Sequence, residues 1–202
     1  MPEVIAVSTT CNAYSCRFIA KIGNLCTAKT RDIRGTVEEG AVIKGNVVVE
    51  EGAIVRSGSY IEGPVYISKR CDIGPNCYIR PGTSLGEGVK IGSAVEVKNS
   101  IIMKGTHVPH HNYVGDSVIG ERCNFGAGTK VANLRFDDGP VKVSSKGQMM
   151  SSGRRKLGVI MGDDVKTGIN AMIEPGTIIS EGSIIGMGAV ARGSIGPHSK
   201  VF

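Results

Sequence analysis

The sequence predicts an all-β solenoid of short parallel strands with one inserted loop. The main observation is an aliphatic residue at every sixth position between residues 37 and 103. A helix repeats near 3.6 residues and a strand alternates at two, so a period of six indicates short straight segments joined by corners. The residues of this row are Val37, Ile43, Val49, Val55, Ile61, Ile67, Ile73, Ile79, Leu85, Ile91, Val97 and Met103.

Two further rows accompany the aliphatic one. Small or β-branched residues stand two positions before each aliphatic residue, from Gly35 and Ala41 to Val95 and Ile101, and turn residues such as Gly40, Gly58 and Gly82 stand three positions after many of them. One large and one small inward side chain in each unit predict a narrow core. The composition agrees with this, because the chain has 29 Gly, four Phe and no Trp.

The repeat divides the chain into segments. Residues 1–31 do not share it and are expected to be a non-repeat extension that covers the first coil; their three cysteines, Cys11, Cys16 and Cys26, have no nearby His and do not favour a zinc site. Residues 32–202 are expected to form the solenoid domain. After Pro109 the apolar residues of the repeat are Val114, Ile119, Phe125 and Val131. The spacing between successive apolar residues is therefore expected to shorten from six to five twice, up to Val114 and up to Ile119.

The period is lost between residues 132 and 157, which predicts an inserted loop over one face, and it returns at Met161. Solenoid loops of this kind often carry function. The break region also contains the polar segment HVPHHNYVGDSVIGERCNFGAG. We therefore expect the chemistry at residues 107–157 and at the corners beside them, with the regular repeats as scaffold.

The composition narrows the class of partner. A net charge of +6 favours an anionic ligand, but the basic residues are scattered without a basic run, so a phosphorylated small molecule fits better than nucleic acid. Cys71 and Cys77 fall in the small inward row, where reduced thiols act as small hydrophobic side chains. No apolar run is long enough to span a membrane. A cytoplasmic protein is expected.

Several sequence blocks occur in a fixed order, among them IRPG, VEVKNS, HHNYVGDSVIG, NFGAGTKVANLRFDD and GRRKLGVIMGDDVKTGIN. In this order they resemble the acetyltransferase domain in the C-terminal half of bifunctional bacterial and archaeal enzymes that make UDP-N-acetylglucosamine, the archaeal ones above all. The resemblance implies a left-handed parallel β-helix of the hexapeptide-repeat acyltransferases, with three hexapeptides in each turn. It also implies a homotrimer with active sites between adjacent subunits. The implied reaction moves acetyl from acetyl-CoA to the amine of glucosamine 1-phosphate or galactosamine 1-phosphate, with no metal in the chemical step.

The resemblance also implies roles for individual residues. His110 matches the general base, and Ala127 lies where the backbone receives the acetyl-CoA thioester. The residues that match the sugar-phosphate site are Arg80, Lys98, Tyr113, Asn124, Asn133 and Lys142. A separate argument rests on charge: a run of three cations in the loop is either solvated or meets the phosphates of coenzyme A, and the second interpretation is favoured beside an acyl-transfer site. These cations are Arg154, Arg155 and Lys156, and Asn170 and Arg192 are weaker candidates for the same cofactor. Two positions depart from the family pattern, with Gly139 in place of a second loop lysine and Ile169 in place of a serine.

The reaction explains these residue types. An amine attacks a thioester only when deprotonated, and an imidazole with a pKa near neutrality is a suitable acceptor for its proton. Backbone N–H groups of the NFGAGT corner can stabilise the tetrahedral oxyanion. Arg80 can hold a phosphate in a bidentate fork, and Lys98 supplies a point charge.

Other interpretations remain open at this stage. His110 could be a structural histidine, and Arg80 and Lys98 could be solvated corner residues. A γ-class carbonic anhydrase would use histidines as metal ligands, and His107, His110, His111 and His198 are available. A third possibility is a non-catalytic β-helix that partners a separate nucleotidyltransferase, since the chain lacks the Gly-rich nucleotide loop of a pyrophosphorylase.

Overall fold

The computed structural model describes residues 30–145 and 147–202, and all of the regular structure within these ranges is β-strand. No helix long and apolar enough to cross a membrane occurs among them. The strands in chain order are β1 (Asp32–Ile33), β2 (Thr36–Val37), β3 (Val42–Lys44), β4 (Val47–Val49), β5 (Ile54–Val55), β6 (Tyr60–Glu62), β7 (Val65–Ile67), β8 (Asp72–Ile73), β9 (Tyr78–Ile79), β10 (Thr83–Leu85), β11 (Lys90–Ile91), β12 (Glu96–Lys98), β13 (Ile101–Ile102), β14 (His107–Val108), β15 (Tyr113–Gly115), β16 (Val118–Ile119), β17 (Lys130–Val131), β18 (Lys142–Ser145), β19 (Gln148–Ser151), β20 (Ile160–Met161), β21 (Lys166–Thr167), β22 (Met172–Ile173), β23 (Ile178–Ile179), β24 (Ile184–Ile185), β25 (Val190–Ala191), β26 (Ser194–Ile195) and β27 (Lys200–Val201).

The strands build three parallel faces of a left-handed β-helix with about nine turns. Face A is the nine-stranded sheet that begins at β1 and ends at β26. Face B consists of β2, β5, β8, β11 and β14, continued by β21, β24 and β27. Face C is the eight-stranded sheet that begins at β3 and ends at β25. The chain runs from A to B to C in each turn, so every turn has three corners, named here the A–B, B–C and C–A corners.

The core follows the predicted rows from Val49 to Val97, whose aliphatic members are almost fully buried. The small inward row is confirmed from Val47 to Val95, where the side chains of Cys71 and Cys77 are buried free thiols. It is wrong at Ile101, which is only half-buried, because Ser100 is the buried residue of that unit. Val37 is an exception because it is 37% exposed. It lies on the first described turn, where no described coil stacks over it.

The prediction that Met103 faces the core is wrong. Ile102 is fully buried and Met103 is only half-buried, so the first five-residue step lies between Val97 and Ile102. The second five-residue step runs from Val114 to Ile119, as predicted. The other predicted short step, from Pro109 to Val114, is wrong, because the buried residue before Val114 is Val108, six positions earlier. Both short steps turn the C–A corner on consecutive coils, at Asn99 (φ 45°) and Asp116 (φ 51°). Of these two corner residues, Asp116 is buried and Asn99 is exposed.

Residues 1–29, including Cys11, Cys16 and Cys26, lie outside the described residues, so the role expected for the N-terminal extension stays a prediction. The expected loop of residues 132–157 contains an antiparallel hairpin of β18 and β19. The loop leaves face C after β17 and returns to face A at β20, so it replaces one C–A corner. At its base, the backbone N–H of Leu157 donates to the carbonyl of Asn133 over 3.0 Å.

The hairpin contacts the next coil at Gly176. Gly176 adopts φ +77°, and a Cβ atom added there would collide with the carbonyl oxygen of Lys142. Val141, at the start of the hairpin, is fully buried. Absence of a side chain at residue 176 therefore lets the hairpin pack closely against the solenoid.

Candidate active site

Four of the predicted substrate residues lie on neighbouring coils of face C or at its C–A corner. Arg80 follows β9, Lys98 ends β12, Tyr113 begins β15, and Asn133 follows β17. These four strands are consecutive in the sheet of face C. Because stacked strands are about 4.8 Å apart, the four strands together span about 14 Å of face C.

Asp116 joins three side chains at this corner. Its Oδ2 accepts hydrogen bonds from Lys98 Nζ (3.1 Å) and Asn133 Nδ2 (2.5 Å), and its Oδ1 accepts one from Asn99 Nδ2 (2.7 Å). The Asp116 side chain is only 5% exposed. Burial opposes ionisation of Asp116, but the hydrogen bonds from Asn99, Lys98 and Asn133 outweigh it and hold the pKa of the carboxyl below its usual range. A buried anion thus organises the corner.

Arg80 is held by a second carboxylate. Its Nη1 donates to Glu96 Oε1 over 2.8 Å, and its guanidinium lies 5.6 Å from the centre of the Tyr78 ring. The hydrogen bond to Glu96 raises the pKa of Arg80. A guanidinium has five N–H donors, so Arg80 keeps donors for an oxyanion while Glu96 fixes its position.

Tyr113 stands between Glu96 and Lys130 in the outward row of face C. Its hydroxyl accepts a hydrogen bond from Asn133 Nδ2 over 3.2 Å. Gly115 permits this contact. A Cβ atom added to Gly115 would lie 2.6 Å from both Asn133 Nδ2 and Tyr113 Oη, so any other residue would push the pair apart.

His110 and Ala127 occupy the same position of the B–C corner on consecutive coils. The backbone N–H of Gly128 donates to the carbonyl of His110 over 3.0 Å, and the carbonyl of Ala127 accepts from Asn170 N over 2.8 Å. His110 is exposed. The N–H groups of Gly126, Gly128 and Thr129 all donate to backbone carbonyls, whereas that of Ala127 has no acceptor within the described part of the chain. The predicted base and the predicted thioester contact are therefore adjacent.

The structure does not bring all of the predicted site residues together in one chain. His110 lies at the B–C edge of face C and Asn133 at the opposite edge. Asn124 lies on face B, where its backbone forms parallel β-bridges with His107 and Lys166. Lys142 is in β18 and lines a groove of about 810 Å³ on face C with Lys130, Met172 and Glu174, two or more coils away from Arg80.

The predicted cofactor cations also lie apart from Ala127. Arg154, Arg155 and Lys156 follow the hairpin at the C–A corner, and Arg155 donates to Asp138 Oδ1 over 2.7 Å. Arg192 follows β25, five strands away from Arg80 on face C, or about 24 Å at the usual strand spacing. Asn170 is nearer, since its backbone binds Ala127. Of the two departures, Gly139 lies in the insertion, and Ile169 is 52% exposed beside Asn170.

The other histidines do not join His110 in one cluster. His111 follows it at the B–C corner and His107 is on face B. His198 is at the A–B corner, where its backbone N–H donates to the carbonyl of Glu181. Within residues 30–145 and 147–202, no group of three or more His, Cys, Asp or Glu residues is placed to hold a metal ion.

Glu96 and Asp116 were not predicted as site residues. The sequence contained a signal for each. Glu96 stands two positions before Lys98, which places both on the outer side of one strand. Asp116 occupies a corner with one residue fewer than the regular repeat, as the spacing of Val114 and Ile119 indicates.

Comparison with known proteins assigns the chain to a family. The family model "GMPPB C-terminal domain" matches residues 61–168, more than half of the chain, and the model "Hexapeptide repeat of succinyl-transferase" matches residues 158–190. A relative from Methanocaldococcus jannaschii, "Bifunctional protein GlmU", is 53% identical over 171 residues, or 85% of this chain and 42% of the relative. "Bifunctional sugar-1-phosphate nucleotidylyltransferase/acetyltransferase" from Sulfurisphaera tokodaii is 57% identical over 95 residues, or 47% of this chain and 24% of the relative.

The chain thus spans less than half the length of these curated relatives. Among solved structures, "Crystal structure of UDP-N-acetylglucosamine acyltransferase" is 12% identical, with a TM-score of 0.43 and coverage of 83% of this chain and 70% of that one. The family-model match and the sequence relatives lead to one assignment. The chain belongs to the GMPPB C-terminal domain family of hexapeptide-repeat proteins and is a homologue of the bifunctional sugar-1-phosphate nucleotidylyltransferase/acetyltransferases.

Proposed function

We propose that this chain transfers the acetyl group of acetyl-CoA to the amine of a hexosamine 1-phosphate, either glucosamine 1-phosphate or galactosamine 1-phosphate. The observation that carries the proposal is the grouping of Arg80, Lys98, Tyr113 and Asn133 on consecutive strands of face C. They offer two cations, a hydroxyl and an amide to one small anionic ligand. A homologue named as a sugar-1-phosphate enzyme with acetyltransferase activity supports this choice of substrate.

The phosphate binds at the C–A corner. Arg80 donates through the guanidinium N–H groups that Glu96 does not use, and Lys98 adds a positive charge beside it. Asn133 and Tyr113 contact the sugar. Because Glu96 and Asp116 pre-position the two cations, little side-chain freedom is lost when the phosphate arrives.

The chemical step uses the B–C corner. His110 accepts a proton from the sugar amine as the amine nitrogen attacks the thioester carbonyl carbon. The Ala127 N–H donates to the oxyanion of the tetrahedral intermediate, the C–S bond breaks, and the proton held by His110 leaves with the thiol. Asn124, Lys142, Arg154, Arg155, Lys156 and Arg192 are proposed as further contacts to the two substrates.

The separation of the residues supports a homotrimer as part of the proposal. His110 and Asn133 lie at opposite edges of face C. A small sugar phosphate bound beside Asn133 of one chain would therefore meet His110 of a neighbouring chain. A monomeric mass in light scattering would contradict this assembly. The buried free thiols of Cys71, Cys77 and Cys123 fit a reducing compartment, and we propose the cytosol.

The deciding experiment measures release of free thiol from acetyl-CoA by the purified protein, with glucosamine 1-phosphate and galactosamine 1-phosphate supplied separately. We expect release that depends on one of the sugars. Glucose 1-phosphate, which lacks the amine, is the matched control and should give none. A folded protein that releases no thiol with either amino sugar would contradict the proposal and favour a non-catalytic partner of a nucleotidyltransferase.

A further inference from the structure

Asp116 limits how its neighbours can form hydrogen bonds. An ionised carboxylate accepts hydrogen bonds and donates none. Every side chain that contacts Asp116 must therefore present a hydrogen to it, and Asn99, Lys98 and Asn133 all do so. The 2.5 Å contact with Asn133 is the shortest of the three.

This requirement fixes the orientation of the Asn133 amide. Its Nδ2 group donates to both Asp116 Oδ2 and Tyr113 Oη. A flipped amide would bring Asn133 Oδ1 against the carboxylate, and two oxygen acceptors would repel each other. The carbonyl oxygen of Asn133 is therefore the atom left for a ligand.

The same chain of contacts fixes Tyr113. Because its hydroxyl oxygen accepts from Asn133, its single O–H hydrogen is left to point away from Asn133. The corner then presents one acceptor, Asn133 Oδ1, next to two donors, Tyr113 Oη–H and the free N–H groups of Lys98.

We propose that Asp116 is a positioning residue that sets the hydrogen-bond polarity of the sugar-phosphate site, with Asn133 as an acceptor and Tyr113 as a donor. The identity of the ligand rests on the proposed function: an N–H or O–H of the amino sugar meets Asn133, and a phosphate or sugar oxygen meets Tyr113. Among the described residues, Lys98 is the charged group that contacts Asp116, and the other two contacts are neutral amides.

The exchange variant D116N/N133D distinguishes the effect of Asp116 on hydrogen-bond polarity from its contribution to folding. It keeps one acid and one amide in contact and leaves the net charge unchanged. In the variant, the carboxylate at position 133 accepts from the amide at position 116 and also from the Tyr113 hydroxyl, so Tyr113 no longer donates to the ligand. We expect a melting temperature near that of wild type but a KM for the amino-sugar phosphate raised about tenfold, the effect of one charge-assisted hydrogen bond, with the KM for acetyl-CoA unchanged.

Tyr113→Phe completes the test. It should raise the sugar-phosphate KM in wild type and leave that KM unchanged in D116N/N133D, where the donor is already lost. Asp72→Asn is the control, because Asp72 also binds a cation, Arg56 at 2.6 Å, but lies on face B. Recovery of wild-type KM by the exchange variant would overturn the proposal and leave Asp116 a structural role.

A measurement without ligand separates this inference from the proposed function. Neutron diffraction of the free protein should show the two deuterons of Asn133 Nδ2 directed at Asp116 and Tyr113, and the Tyr113 deuteron directed away from Asn133. A Tyr113 deuteron that points at Asn133 would overturn the polarity, whether or not the protein transfers acetyl. Absence of acetyl transfer together with the expected deuterons would reject only the proposed function.

Discussion

The amide nitrogen of Asn133 lies 2.5 Å from a carboxylate oxygen of Asp116, although the two residues are 17 positions apart on successive coils. A regular coil of three hexapeptides would separate equivalent positions by 18. The five-residue step between Val114 and Ile119 removes one residue at the C–A corner, and Asp116 turns that corner with a positive φ. The irregularity in the repeat therefore positions the buried carboxylate.

Asp116 should make the protein sensitive to acid. Its folded-state pKa lies below the ordinary Asp value, so the stability that it contributes is complete above that ordinary value and is lost as the pH falls through the folded-state pKa. Asp116→Asn should reduce the free energy of unfolding at pH 7 by about 1.5–3 kcal/mol, the worth of a hydrogen bond to a charged group. Urea unfolding of both proteins at one concentration, at pH 7 and near pH 3, should show a difference that narrows in acid. An equal difference at both pH values would contradict it.

Glu96 should hold Arg80 in position for the substrate phosphate. The pair is about one-third exposed on each side, so its strength is that of a surface ion pair, about 0.2–1 kcal/mol. Glu96→Gln should therefore raise the KM for the sugar phosphate by about fivefold or less, within the same range of energies. Arg80→Gln should raise that KM without changing the KM for acetyl-CoA. Arg56→Gln, which removes a comparable pair on face B, is the control, and equal effects of Arg80→Gln on both KM values would reject the phosphate contact.

His110→Ala should abolish most of the turnover without loss of stability. The residue is exposed, so its removal leaves no cavity, whereas loss of a general base typically lowers kcat by about 10² to 10⁴. Steady-state kinetics and thermal unfolding of the same preparation test both parts. His198→Asn is the control at a distant corner, since asparagine tolerates the φ of 53° found there. Unchanged kcat in His110→Ala would remove His110 from the mechanism.

Gly176→Ala should detach the hairpin while the coils stay intact. The new Cβ atom would meet the carbonyl oxygen of Lys142, and the left-handed φ adds strain for any residue other than glycine. Limited trypsin digestion should cleave the chain at the hairpin, for example after Arg154, faster than in wild type. Gly188→Ala has a similar φ and no neighbouring atom within 4 Å at its Cβ, so it controls for backbone strain alone. Equal cleavage rates in the two variants would contradict the contact.

The repeat predicted the solenoid because its inward rows depend only on spacing. It failed at Met103, since Ile101, Ile102 and Met103 are all apolar and hydropathy does not distinguish a five-residue step from a six-residue one. The outward positions of Arg80, Lys98 and Tyr113 were predictable from the same spacing and the family resemblance. The contacts of Asp116 were not, because they depend on a corner conformation that brings residues of different coils together.

The coil architecture also determines how far the effect of a bound ligand extends. Each turn of the solenoid contacts only the turn above and the turn below. A ligand held by residues between Arg80 and Asn133 therefore tightens these turns and their immediate neighbours, while the coils around Val49 and Ile195 keep their own opening equilibria. Slowed amide hydrogen exchange on ligand binding would form a band across the three faces, and the two ends of the molecule would exchange as they do in the free protein.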